Sequence, residues 1–232
     1  MSSRRRFLKR AAVNFLVFLL PITLVLSSVV IVLYSAGIWI PIEYRLPGFP
    51  EDRYGFDLDD RLYWSSVDID FLLRNEDISY FDSYFLADGS PMHNARELKH
   101  MQDVQILLNI VKRVLLGGWI LIVTMIVLLW RMGESREIAH ALQRAARVTL
   151  IVIVVLIVGI IVSFGVLFVG FHRIFFEADS WRFAYSDTFI RLYPQRFWRD
   201  CFILLAVVTV VDASLVYGIG RLKARRMPME AS

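Results

Sequence analysis

Long blocks of apolar residues, separated by polar stretches, set the pattern of this chain. Ala11 to Tyr34, Val114 to Trp130 and Val148 to Phe171 carry no charge, and Cys201 to Gly220 carries only Asp212. A bilayer core is crossed by a helix of roughly 20 apolar residues. The pattern therefore predicts four spanning helices, at residues 11–36, 104–130, 148–171 and 199–220. Pro21 is expected to kink the first. Gly159, Gly165 and Gly170 in the third are expected to let helices approach closely, and Pro194 suits the first turn of the fourth.

The polar stretches have patterns of their own. Residues 37–103 form the longest one. It opens with IWIPIEYRLPGFPEDRYG, whose prolines read as an extended, irregular connection. Leu58, Leu62, Ile69 and Leu73 then recur at helical spacing behind Asp57, a helix cap. In ISYFDSYFLADGSPM, aromatic and β-branched residues flank Asp88-Gly89, which predicts short strands or a hairpin. Asn94 and Glu97 have capping-box spacing. They start a helix that runs into the second span, with Leu98, Met101, Val104, Leu108 and Val111 as its apolar stripe. The expected fold is mainly α and membrane-embedded: a four-transmembrane-helix bundle with a small extracytoplasmic α+β cap.

Charge adds orientation. The net charge of +4 hides an asymmetry. Residues 1–10, 131–147 and 221–232 are rich in Arg and Lys, whereas 37–103 is acidic. Because basic residues flank spans on the cytoplasmic side, both termini and the 131–147 link are expected there. Segments 37–103 and 172–198 are then outside a bacterial plasma membrane. SRRRFLK near the N-terminus matches a twin-arginine export pattern, but the apolar block behind it is as long as a full span, so we read an uncleaved anchor. Basic residues that flank spans form no groove, which excludes a nucleic-acid partner. Cys201 is the single cysteine, so neither an internal disulfide nor a CxxC site exists; packing near the start of the fourth span is its expected role.

Candidate chemistry gathers on the outer side. Phe171 to Trp198 is dense in aromatic residues and holds His172, Arg173, Asp179, Asp187, Thr188, Arg191 and Tyr193. It reads either as an aromatic belt in the headgroup region or as a site acting on a lipid ester. Of the four histidines, His140 is expected to be solvated in the link and His93 to be an exposed loop residue. His100 and His172 each fall near the outer end of a span, where a pair of imidazoles can serve as acid and base. Asp103 lies three residues after His100, so the two are neighbours on a helix and Asp103 is in position to orient the ring. Lys112 and Arg113 either mark the outer interface or line a polar cavity. Asp212 is either functional or paired with Ser, Thr or water. No GxSxG, HExxH, Walker or dinucleotide motif is present, and we expect no metal and no cofactor.

RELKHMQDV at Arg96 to Val104, FHRIFF at Phe171 to Phe176 and DTFIRLYPQRFW at Asp187 to Trp198 resemble a bacterial family of four-span membrane proteins. Its characterised members are lipoprotein intramolecular transacylases. The resemblance covers most of the chain. It implies a reaction that moves the sn-2 acyl chain of a diacylglyceryl-cysteine lipoprotein onto that cysteine's α-amine. The implied functional histidines are His100 and His172, and the implied partners are a diacylated lipoprotein and membrane lipid. Arg173, Asp187, Arg191, Tyr193 and Trp198 are candidate substrate contacts, with Arg173, Arg191 and Tyr193 as donors to a tetrahedral intermediate. Lys112 and Arg113, and the heavily charged cap, depart from the family pattern. The competing readings are a non-enzymatic scaffold or lipid-binding partner of an envelope complex, and a metal-dependent lipid hydrolase.

Overall fold

A computed structural model describes residues 3–177 and 180–226. Asp179 and residues 227–232 of the expected cytoplasmic tail lie outside the described residues. The elements are α1 (Ser3–Tyr34), α2 (Ala36–Glu43), α3 (Leu58–Arg74), a 3-10 helix (Ile78–Ser83), α4 (Ala95–Arg131), α5 (Ser135–Phe175), α6 (Thr188–Leu192) and α7 (Gln195–Arg225). Helices α1, α4, α5 and α7 are long and apolar enough to cross a membrane. The chain divides into two compact units.

The first unit comprises Met1–Val30, Val111–Val158 and Leu204–Ser232. In it, segments of the four long helices pack as a bundle around Leu16, Leu20, Ile122, Leu129, Ile138, Ala145 and Ala213. Two glycines permit close contact. A Cβ on Gly118 would lie 2.8 Å from Thr23 Oγ1, and one on Gly220 would lie 2.9 Å from the Ala139 carbonyl oxygen. Helix α1 continues through Pro21. Most of the stretch expected as a link is helical, because α5 already begins at Ser135 after a turn at Gly133 (φ +76°). Lys9 bridges Glu134 and Glu137 at 3.0 Å each. Asp212 accepts a hydrogen bond from Ser28 Oγ (3.3 Å), and Ser28 in turn accepts one from Thr209 Oγ1 (2.9 Å). A carboxylate at this depth is thus paired with hydroxyls.

The second unit comprises Ile31–Ile110 and Gly159–Ile203. Its core joins Ile40, Tyr44, Trp64, Phe71, Phe81, Met92, Met101, Phe189, Leu192 and Phe197. Three expectations are corrected here. The connection after the first span begins as helix α2, which runs through Pro41 and buries Ala36, Ile40 and Glu43 at i, i+4 and i+7. Residues 78–83 form a 3-10 helix capped by Asp77, whose carboxylate accepts from Ser79 N–H (3.0 Å). The predicted strands reduce to one antiparallel bridge, Phe85–Pro91, around the turn at Gly89 (φ +81°). Burial of Phe81 against Phe71 (ring centroids 4.8 Å apart) outweighs local strand preference.

Helix α3 is capped by Asp57 as expected, in a reciprocal box with Asp60, and ends on Asn75 in the left-handed region (φ 56°). Its buried face is Arg61, Trp64, Ser65, Asp68, Phe71 and Leu72, not the Leu58–Leu62–Ile69–Leu73 stripe. The periodicity locates the helix; the face it buries carries Arg61 and Asp68 with their partners, and Leu62 and Ile69 pack at the edge of the core. Helix α5 breaks at Ser163 (φ −161°, ψ 79°). The break brings Leu167 back to Gly159, where an added Cβ would lie 3.0 Å from it, while Cβ atoms on Gly165 and Gly170 would meet nothing within 4 Å. Gly159 therefore lies against the bend, while Gly165 and Gly170 make no close approach among the described residues.

Candidate active site

The site is built on the first turns of α4, the end of α5, and α6, all in the second unit. Asn94 and Glu97 form the capping box: Asn94 N–H donates to Glu97 Oε2 (2.8 Å), and Glu97 N–H donates to Asn94 Oδ1 (3.1 Å). The second oxygen of Glu97 accepts from Phe189 N–H (2.7 Å), and Thr188 Oγ1 donates to the Met92 carbonyl (2.6 Å). One carboxylate thus caps α4 and holds α6 against it.

Beside it lies a buried charge network. His93 Nε2 donates to Asp68 Oδ1 (2.7 Å), and Tyr193 Oη donates to Asp68 Oδ2 (2.9 Å). Glu97 Oε2 stands 3.9 Å from His93 Nδ1, an electrostatic contact too long for a hydrogen bond. His93 is 2% exposed. Burial alone would lower its pKa, but the Asp68 charge and hydrogen bond, and then Glu97, raise it to about 9. It is an imidazolium between two carboxylates. Burial, followed by the Asp68 charge, pushes the Tyr193 phenol well above its usual range, so it stays a neutral donor. The expectation of an exposed His93 is therefore overturned. The Asp68–His93–Glu97 chain itself was missed. Its one sequence signal is the four-residue spacing of His93 and Glu97, since Asp68 lies on another helix.

His100 follows one turn after Glu97, with 9% of its surface exposed, and His172 near the end of α5 is 8% exposed. Their rings stack with centroids 6.0 Å apart and planes 24° apart. Phe176 touches both, at 4.8 Å from His100 and 5.4 Å from His172. Phe183 and Phe189 complete the wall around His100, and Phe168 and Trp181 the wall around His172. His172 Nδ1 donates to the Phe168 carbonyl (2.8 Å). A carbonyl can only accept, so this bond fixes the Nδ1–H and leaves Nε2 of the neutral ring as a base. His100 Nδ1 is buried without a hydrogen-bond partner among the described residues. At this spacing one polar group can lie within hydrogen-bonding reach of both rings. Among the described residues, no three His, Cys, Asp or Glu side chains converge as a metal site.

The other sequence candidates disperse. No hydrogen bond joins Asp103 to His100, so the expected orienting bond does not form; Asp103 lines a neighbouring groove. Arg191, expected to meet substrate, is an inward clamp: its Nη2 pairs with Asp52 (3.1 Å) and donates to the Tyr54 carbonyl (3.2 Å), and its guanidinium stacks 3.4 Å over Phe56. Tyr193 is 8% exposed and committed to Asp68. Asp187 accepts from Ala184 N–H (2.8 Å) and shapes the turn before α6. Trp198 packs against Tyr193 and Phe197. Arg173 is exposed one residue beyond His172.

A family model described as lipoprotein intramolecular transacylase Lit matches residues 14–198. An uncharacterised protein of Aquifex aeolicus (strain VF5) is 29% identical over 191 residues, which covers 78% of this chain and 81% of that one. The solved structure of the integral membrane lipoprotein intramolecular transacylase Lit from Bacillus cereus superposes with a TM-score of 0.78 at 19% identity, covering 94% of this chain and 96% of that one. A variant of it with one histidine replaced by alanine superposes with a TM-score of 0.72 at 18% identity, covering 96% of each. The fold is shared, and the family match spans the cap, the histidine-bearing helices and the loop to α7. This chain belongs to the lipoprotein intramolecular transacylase Lit family.

Proposed function

We propose that this protein moves the sn-2 acyl chain of a diacylglyceryl-cysteine lipoprotein onto the cysteine α-amine, releasing the lyso form. The observation that carries the reading is the stacked pair His100 and His172, 6.0 Å apart in an aromatic pocket. In the step, the amine nitrogen attacks the ester carbonyl carbon. The bond from that carbon to the glyceryl oxygen breaks and an amide forms. The nitrogen attacks as the free amine, its ammonium having first given one proton to water. One imidazole takes the second proton, which the nitrogen sheds on attack, and the pair, acting as base and acid, passes it to the departing glyceryl oxygen. Donor and acceptor are one molecule, so no acyl-enzyme and no activated Ser or Cys is required. Each proton transfer contributes about 10²- to 10⁴-fold, and holding amine and ester together supplies much of the rest. The Asp68–His93–Glu97 chain acts at a distance by fixing the first turns of α4 and hence His100. Arg173 remains the candidate donor to the tetrahedral oxygen.

The test uses purified protein with a diacylated lipoprotein as sole substrate, read by mass. His100→Ala and His172→Ala should each abolish the N-acylated lyso product, and the double variant should be hardly worse than either, as for residues acting as one unit. Full activity in either single variant overturns the mechanism.

A further inference from the structure

Helix α4 presents His100, Asp103, Ile106, Leu107 and Ile110 along one stripe, at i, i+3, i+6, i+7 and i+10. The last four of these, with Phe176 and Glu177 beyond α5, line a groove with a cavity of about 170 Å³. Phe176 is also the ring that touches both histidines, so the groove begins where the histidine pair ends. Its character changes along its length. The end near His100 carries two carboxylates, Asp103 and Glu177. The far end is apolar, and Ile106 and Ile110 are 52% and 45% exposed. Ten residues of helix span about 15 Å.

We infer that this groove binds the substrate amphiphile, with its α-ammonium at the Asp103 end and an acyl chain laid along Ile106, Leu107 and Ile110. The inference rests on the transacylase reading and adds the recognition it lacks. An acidic rim at the headgroup end and an apolar trough beyond it are complementary to a cationic amine that carries lipid chains. An unmodified α-amino group has a pKa of roughly 8, so it arrives as the ammonium. Glu177 is already engaged with Lys99 at 3.3 Å. Among the described residues Asp103 makes no hydrogen bond or ion pair, which leaves it as the carboxylate to meet the ligand. Asp103 is then a specificity residue, one helical turn from His100, that delivers the amine to the pair instead of orienting the ring.

The experiment measures binding and turnover of a dipalmitoylglyceryl-cysteinyl peptide and of its N-acetylated counterpart, which has no ammonium. The full chain is reconstituted in nanodiscs at pH 7. Wild type should bind the free-amine peptide about fivefold more tightly, the size expected of a partly exposed charge pair worth about 1 kcal/mol. Asp103→Asn should erase that preference and Asp103→Glu should restore it. Leu107→Trp, which fills the trough, should weaken both peptides equally. If wild type turns the peptide over but Asp103→Asn keeps the preference, or Leu107→Trp binds normally, the groove assignment is overturned while the transacylase reading stands. If wild type neither binds nor converts the free-amine peptide, the transacylase reading fails and this inference with it.

Discussion

His93 shows how one residue can be misread from its neighbours in sequence. It precedes a helix cap in a polar stretch, which marks an exposed loop residue, yet it is buried between Asp68 and Glu97. Removing it leaves two carboxylates in the interior, and breaking a buried pair costs about 3–5 kcal/mol. His93→Ala should therefore lower the thermal midpoint sharply, whereas His140→Ala should not. The pH dependence follows from the direction of the shift. A pKa raised from 6.5 to about 9 in the folded protein gives stability that is complete below 6.5 and lost as pH rises through 9. Wild type should lose stability between about pH 7 and 9, and Asp68→Asn should flatten that slope. An equally steep slope in the Asn variant would remove the charge network as its source.

Elements were legible where local signals agree with tertiary need. The capping residues Asp57 and Asn94 stand at helix starts as read, and α4 runs unbroken from the cap into the second span. Legibility failed where packing decides. The 78–83 segment carries strand-like residues but folds around Phe81, and the kink at Ser163 has no proline to announce it. His100 and His172 were legible as candidates because each sits at a span end. Their stacking was not, since it depends on how α4 and α5 pack. Glycines give an element-scale test. Gly220→Ala puts a methyl 2.9 Å from a backbone oxygen of α5, whereas Gly218→Ala on the same helix meets nothing within 4 Å. Gly218→Ala should gain up to about 1 kcal/mol from helix propensity, and Gly220→Ala should lose roughly 1–3 kcal/mol from overpacking. Unfolding of the two variants side by side checks this; equal stability would mean that α7 shifts freely at Gly220.

For the whole molecule, the apolar blocks made a four-helix membrane protein readable before any contact was known, because a bilayer admits few alternatives. Sidedness is the proposal that remains, and the first unit supplies its physical basis. Lys9 reaches Glu134 and Glu137, and Gly220 meets Ala139, so the start of α1, the α4–α5 turn and the last turns of α7 share one end of that bundle. The same end collects Arg4, Arg5, Arg6, Arg131, Arg136, Arg144, Arg221, Lys223, Arg225 and Arg226. Moving such a cluster across the membrane is unfavourable, and on that ground we propose that this end faces the cytoplasm. The turn at Asp88-Gly89 is exposed and tolerant of insertion. A reporter active only in the cytoplasm should therefore give signal when fused after Ser232 and none when inserted at Asp88-Gly89. A reporter active only outside should give the reverse. Cytoplasmic signal from the Asp88 insertion would put the histidine pair on the wrong side for a lipoprotein substrate, and the orientation and the proposed activity would fall together.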